Sequence, residues 1–199
     1  WLRDRMPRPA GDVLNDYAET ASAAFIAAGV TSVTDAGRDN TVDRIHLYSA
    51  MIAENRFLPR PTVMLSPDGA YPNLESGSGV RVGATKIAIT FSSGEMHPDF
   101  ETLVEVISVA HRAGYEVAVH SVEMEAVVMA AEAFSAVGNR SQIADRRHRI
   151  EHASDCPPAI AKMIASAGLS VVTQPAFIYE RGDRYVSALK SGVGGSDLT

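Results

Sequence analysis

Apolar positions recur along this chain in two alternating rhythms. Over 12–28, Val13, Tyr17, Ala21, Ala24 and Ala28 fall three or four residues apart, the spacing of one helix face, and Gly29 closes the run. The next stretch, 30–35, is rich in β-branched residues and predicts a strand. The same exchange then repeats. A helix is predicted over 41–55, with Ile45, Tyr48, Met51 and Ile52 on one face, and a strand over 61–66. Gly, Ser, Pro and Asn crowd 67–83 and predict a loop. Beyond it the pattern predicts strands at 84–90, 116–120, 149–152 and 169–174. Helices are predicted between them at 100–113, 123–137 and 157–167, and a last short strand at 193–197.

Strands that alternate with helices imply right-handed βαβ units and a parallel sheet. Seven strands are predicted, whereas a closed eight-stranded barrel typically takes about 250 residues. The expected fold class is therefore α/β, an incomplete (β/α)8 TIM-barrel-like fold, as a single domain over 1–199. Composition narrows the partners. The net charge is −6 with acidic and basic residues intermixed, so no basic face suggests nucleic acid. No apolar run approaches the roughly 20 residues of a membrane helix, so no membrane is expected. A lone cysteine, Cys156, rules out an internal disulfide and fits a reducing, cytoplasmic setting. The chain opens at Trp1 rather than methionine, which suggests a piece of something longer.

A parallel β/α barrel places its chemistry at the carboxyl ends of its strands. His120 ends Glu-Val-Ala-Val-His and His152 ends Arg-Ile-Glu-His. Taken alone, each is best read as a core histidine bonded to a backbone carbonyl. Two at matching positions in successive βα units shift the reading towards one shared metal ion. Side chains alternate along a strand, so Glu151 and Arg149 should share the face opposite His152 and pair with each other. Lys86 lies within its strand. It reads either as an edge lysine facing water or as a lysine in a barrel mouth, neutral or modified to carry negative charge. Asp197, in Gly-Gly-Ser-Asp, could be a plain Asx turn, and Asp35 could cap a helix. His148 and Arg147 precede their strand and are expected to be solvated. His46, His97 and His111 read as surface or loop residues. Cys156 lacks a specified base partner, which argues against a nucleophile.

Three segments carry a resemblance. They are Gly29-Val-Thr-Ser-Val-Thr-Asp-Ala-Gly37, His111-Arg-Ala-Gly-Tyr-Glu-Val-Ala-Val-His120, and Arg147-His-Arg-Ile-Glu-His-Ala153 followed by Thr173-Gln-Pro175. Together they resemble the amidohydrolase superfamily, in particular the amidohydrolase-3 type that includes N-substituted formamide deformylase. The resemblance implies a metal-dependent hydrolase barrel acting on C–N bonds of amides or formamides, with one or two divalent ions, zinc the foremost. By the same resemblance His120 and His152 are the fifth- and sixth-strand metal ligands. Asp197 is the eighth-strand aspartate that binds metal and moves the catalytic proton. Lys86 matches the fourth-strand lysine that many members carboxylate to bridge two metals.

The sequence also departs from that family. No two of its six histidines stand one residue apart, so the first-strand His-x-His is absent. The seven predicted strands match the family's second to eighth. The segments after Lys86 and after His120 lack the usual Asp-Gly and Gly-Asp. The expectation is a fragment that hydrolyses a small molecule poorly or not at all by itself, with substrate-binding residues unknown. Its exposed sheet edges offer a route to a homo-oligomer by pairing with a second copy. Two other readings stand beside it: a non-catalytic ligand-binding or interaction module, and a metal-free enzyme using Lys86 as a Schiff-base amine.

Overall fold

The computed structural model describes residues 11–68, 79–92 and 94–191. The expected strand at 193–197 and Asp197 lie outside those residues. The chain divides into two compact units, 1–83 and 84–199.

In the first unit, helix α1 (Gly11–Ala27) leads to strand β1 (Ser32–Asp35), helix α2 (Val42–Ala53) and strand β2 (Arg60–Leu65). β1 and β2 pair in parallel, with Ser32 opposite Arg60 and Asp35 opposite Val63. Ile45 of α2 meets Val63 and Leu65 of β2 and Val80 in an apolar core, with Tyr48, Ile52 and Val82 packed against it. Val80 and Val82 thus belong to the packed interior rather than to the loop predicted over 67–83. Strand β3 (Arg81–Ala88) accordingly begins three residues earlier than 84–90 predicts. The misleading signal is Gly83. A Cβ there would stand 2.9 Å from Thr62 Cγ2 and 3.3 Å from the Val63 carbonyl oxygen, so this glycine permits close strand approach and punctuates no loop.

The boundary between units falls inside β3. In the second unit β3 continues into a short antiparallel pair, β4 (Thr90–Ser92) with β5 (Glu95–His97), that the sequence pattern did not announce. Helix α3 (Phe100–Arg112) follows, started by the Asp99 carboxylate, which accepts from the Thr102 N–H at 2.8 Å. Strand β6 (Val117–Ser121), helix α4 (Met124–Val137), the short helix α5 (Arg140–Asp145) and strand β7 (Arg149–His152) come next. Helix α6 (Pro158–Ala167), strand β8 (Ser170–Val172) and helix α7 (Ala176–Ser191) complete the described chain. The sequence reading missed α5 and α7, and it carried β8 to 174 although the strand stops at Val172.

The four strands of this unit lie parallel in the order β3-β6-β7-β8. Alternation splits their side chains into two sets. Ile87, Val117, Val119 and Ile150 form the apolar set and are buried. α4 packs on β6 and between α3 and α6, and its alanine-rich body, Phe134 included, is buried. The other set carries Lys86, His120, Arg149 and Glu151, since Lys86 aligns with Ala118 and Arg149, and Ala88 with His120 and Glu151. This strand–helix order, with all four strands parallel, is that of an incomplete (β/α)8 barrel.

Candidate metal centre

His120 and His152 end neighbouring strands, yet register alone would keep them apart. His120 aligns with Glu151, and His152 aligns with Ser121, so His152 belongs to the opposite side-chain set. The backbone resolves this. His152 has φ +77° and Ala153 φ +47°, and the Ala153 N–H bonds to the Glu151 carbonyl at 3.2 Å. That bond across a single residue closes a γ-turn of the rare, strained hand. Positive φ at two consecutive residues with a Cβ costs about 1–3 kcal/mol each, and such strain concentrates at functional sites. The turn delivers the His152 ring edge-on to His120, with centroids 4.6 Å apart. Ala153 N–H also bonds to the Ser121 carbonyl at 2.9 Å, tying the turn to the end of β6.

Two further groups hold the ring. Gln174 Oε1, two residues beyond β8, is hydrogen-bonded to His152 Nδ1. Phe177, in the first turn of α7, lies nearly parallel to the imidazole at 6.3 Å between centroids. The sequence reading placed Gln174 at a strand end but gave it no role. Phe177 it did not single out at all, since α7 itself was unread.

Lys86 is 6% exposed, so the edge-lysine alternative is set aside. Burial pulls its ammonium below the usual lysine range, the Glu151 carboxylate opposes that, and Arg149 adds to it. Glu151 and Arg149 pair as expected, Nε to Oε1 at 2.9 Å, and Arg149 also reaches Glu116 at 3.0 Å. Glu116 holds Arg147 in turn at 3.0 Å, and the Arg147 side chain is exposed. This pairing leaves Glu151 committed to a cation on the same face as His120.

His148 is the clear correction. It is fully buried, its ring tilted 30° to that of Phe134 with centroids 5.2 Å apart. Its Nδ1 accepts from the Val117 N–H at 3.0 Å, so its Nε2 carries the proton and donates to His111 Nδ1 at 2.8 Å. Burial, then the neighbouring His111 and Arg146, push its pKa down to about 4. His111 is thereby a half-buried partner rather than a free surface residue. His46 and His97 are exposed as expected, although His97 ends β5. The Cys156 thiol is pushed up by burial and by Asp155, which disfavours the thiolate a nucleophile needs.

In the first unit Asp35 is no helix cap, because Thr41 holds that position before α2. The Asp35 carboxylate accepts from the Gly37 N–H at 3.0 Å and from Asn40 Nδ2 at 2.8 Å. It therefore braces the turn after β1, at the rim of a groove of about 330 Å³ between α1 and α2.

Among the described residues, no group of three or more His, Cys, Asp or Glu side chains is placed to hold a metal ion. The donor set present, two imidazoles from neighbouring strand ends with Lys86 on the same face as His120, has nitrogen donors of the kind divalent ions take.

The sequence matches the model of the amidohydrolase family over residues 1–191. No curated protein matches it significantly. Among solved structures, it is similar to an uncharacterized metal-dependent hydrolase from Pyrococcus furiosus, with TM-score 0.66 and 23% identity over 83% of this chain and 39% of that one. A second, from Pyrococcus horikoshii OT3, gives TM-score 0.68 at 17% identity over 88% of this chain and 39% of that one. A Xaa-Pro dipeptidase with bound methionine in its active site gives 0.60 at 17% identity, over 92% and 52%. At these identities the likeness is one of fold. The chain spans about 39% of the length of the first two structures.

Proposed function

Because the chain belongs to the amidohydrolase family, we propose that it carries the metal-binding part of a hydrolase that cleaves C–N bonds in amides or formamides. The observation that supports this most is the convergence of His120 and His152, ring to ring at 4.6 Å, from the carboxyl ends of neighbouring parallel strands. His120 and His152 would hold a divalent ion, with zinc the proposed occupant. Lys86, on the same face as His120 and already weakened as a base by burial, would join them as a neutral or carboxylated amine. When bound, such an ion supplies Lewis acidity and lowers the pKa of water to about 7. Asp197, by its family resemblance, would complete the ligand set, and its carboxylate would take a proton from water and return it to the leaving nitrogen.

The test uses the full-length gene product supplied with zinc and a panel of N-formyl and N-acyl amines, with amine release as the signal. Hydrolysis of at least one member, falling to background in His120→Ala/His152→Ala, is the expected result. Turnover undiminished in that double variant overturns the proposal. A second reading is a non-catalytic β/α module. It would be supported if the full-length protein took up no metal.

A further inference from the structure

His152 needs more than its backbone to be useful as a ligand. A neutral imidazole offers one lone pair, and the tautomer decides which nitrogen carries it. The γ-turn fixes where the ring sits, but not which edge it presents. Gln174 Oε1 is an amide oxygen and only accepts, so the nitrogen facing it, His152 Nδ1, must carry the proton. The lone pair is then on Nε2. The stacked Phe177 ring, 25° from coplanar, limits rotation of the imidazole about that hydrogen bond.

We infer that Gln174 is a positioning residue that locks His152 in the Nδ1–H tautomer and so assigns Nε2 as the atom offered to a metal. The inference rests on the metal-centre reading above. Hydrogen bonds of this kind orient metal-binding histidines generally, and losing one typically weakens metal binding about 10- to 100-fold. Gln174 lies in the short segment between β8 and α7, so the end of β8 and the first turn of α7 act together as a clamp on a residue of β7.

The experiment uses the 199-residue chain labelled with 15N-histidine. Two-bond 1H–15N correlation spectra at pH 8 without metal read the tautomer of each histidine. Zinc alone is then titrated against a competing chelator. In the wild type His152 is expected as the Nδ1–H form. In Gln174→Leu it should shift towards Nε2–H, the form favoured by free imidazole, and zinc affinity should fall 10- to 100-fold. Gln174→Glu, which keeps an acceptor, should restore the Nδ1–H form and most of the affinity. His148, fixed by Val117 N–H as the Nε2–H form, reports in every variant that the fold is intact. An unchanged His152 tautomer in Gln174→Leu overturns the inference. A tautomer shift in Gln174→Leu, together with a wild type that binds no zinc, supports the Gln174 assignment and counts against the metal centre instead, so the two failures are distinguishable.

Discussion

At the scale of single residues, one backbone angle and one buried ring lead to measurable consequences. Ala153 sits at φ +47°, where any Cβ is strained and a branched one more so. Ala153→Gly relieves that strain and offsets it by extra freedom in the unfolded chain, so urea unfolding should show stability unchanged or raised by less than about 1 kcal/mol. Ala153→Val should lose about 1–3 kcal/mol. Equal losses for both would mean the γ-turn does not exist in solution. His148 offers a pH test. Its folded pKa of about 4 lies below the unfolded value near 6.5, so as pH falls the unfolded chain takes up the proton first. Stability from the neutral ring is complete above pH 6.5. It falls by up to about 1.4 kcal/mol per pH unit below that, until pH 4. Protonation would also set an N–H against the Val117 N–H. His148→Gln, whose amide oxygen can accept from Val117 without titrating, should flatten the unfolding midpoint between pH 6.5 and 5 relative to wild type. Parallel slopes would contradict the assignment.

Among elements, the joints matter more than the bodies. Gly168 ends α6 at φ +79°, and a Cβ there would stand 2.3 Å from the Arg140 carbonyl oxygen at the start of α5. Gly168→Ala therefore meets both a left-handed backbone and a clash with main chain that cannot move alone. A loss of at least about 2 kcal/mol in urea unfolding is expected, with β8 and the Gln174 clamp disturbed together. These joints also mark where the sequence was legible. α3, α4, β6 and β7 carry clear periods bounded by turn residues, and their predicted limits fall within a residue of the observed ones. α7 escaped because Gly182 and the surrounding charges break its apolar stripe, and its Ile178 and Tyr179 face solvent. His148 was misjudged because the charged Arg147 and Arg149 beside it suggest a wet segment, whereas packing against Phe134 and the Val117 N–H decides its burial. The metal-centre histidines were legible as the polar ends of apolar runs. The turn that swings His152 across the sheet was not, since a period-two pattern has no mark for a γ-turn. Gln174's choice of partner is tertiary and leaves no local trace.

For the whole molecule, the family match over 1–191 sets the frame within which the site must work. Binding of an ion to the folded chain alone stabilises it by RT ln(1 + [L]/Kd), about 2.7 kcal/mol at a hundredfold excess over Kd. Zinc should therefore raise the wild-type Tm by several degrees and leave His120→Ala/His152→Ala unmoved. A similar rise in both would place the ion elsewhere. Among the described residues no helix is long and apolar enough to cross a membrane, and β8 exposes Val171 and Val172. Sedimentation of the purified chain should reveal self-association that weakens when Val171 and Val172 are replaced by Thr and Lys, charges being the usual guard on an open strand. The proposed function depends on His120 and His152 sharing one ion. Elemental analysis of the zinc-supplied wild type beside the double alanine variant tests it directly. Near-stoichiometric divalent metal in the wild type, lost in the variant, is the predicted result. Equal metal in both proteins, or none in the wild type, would contradict it.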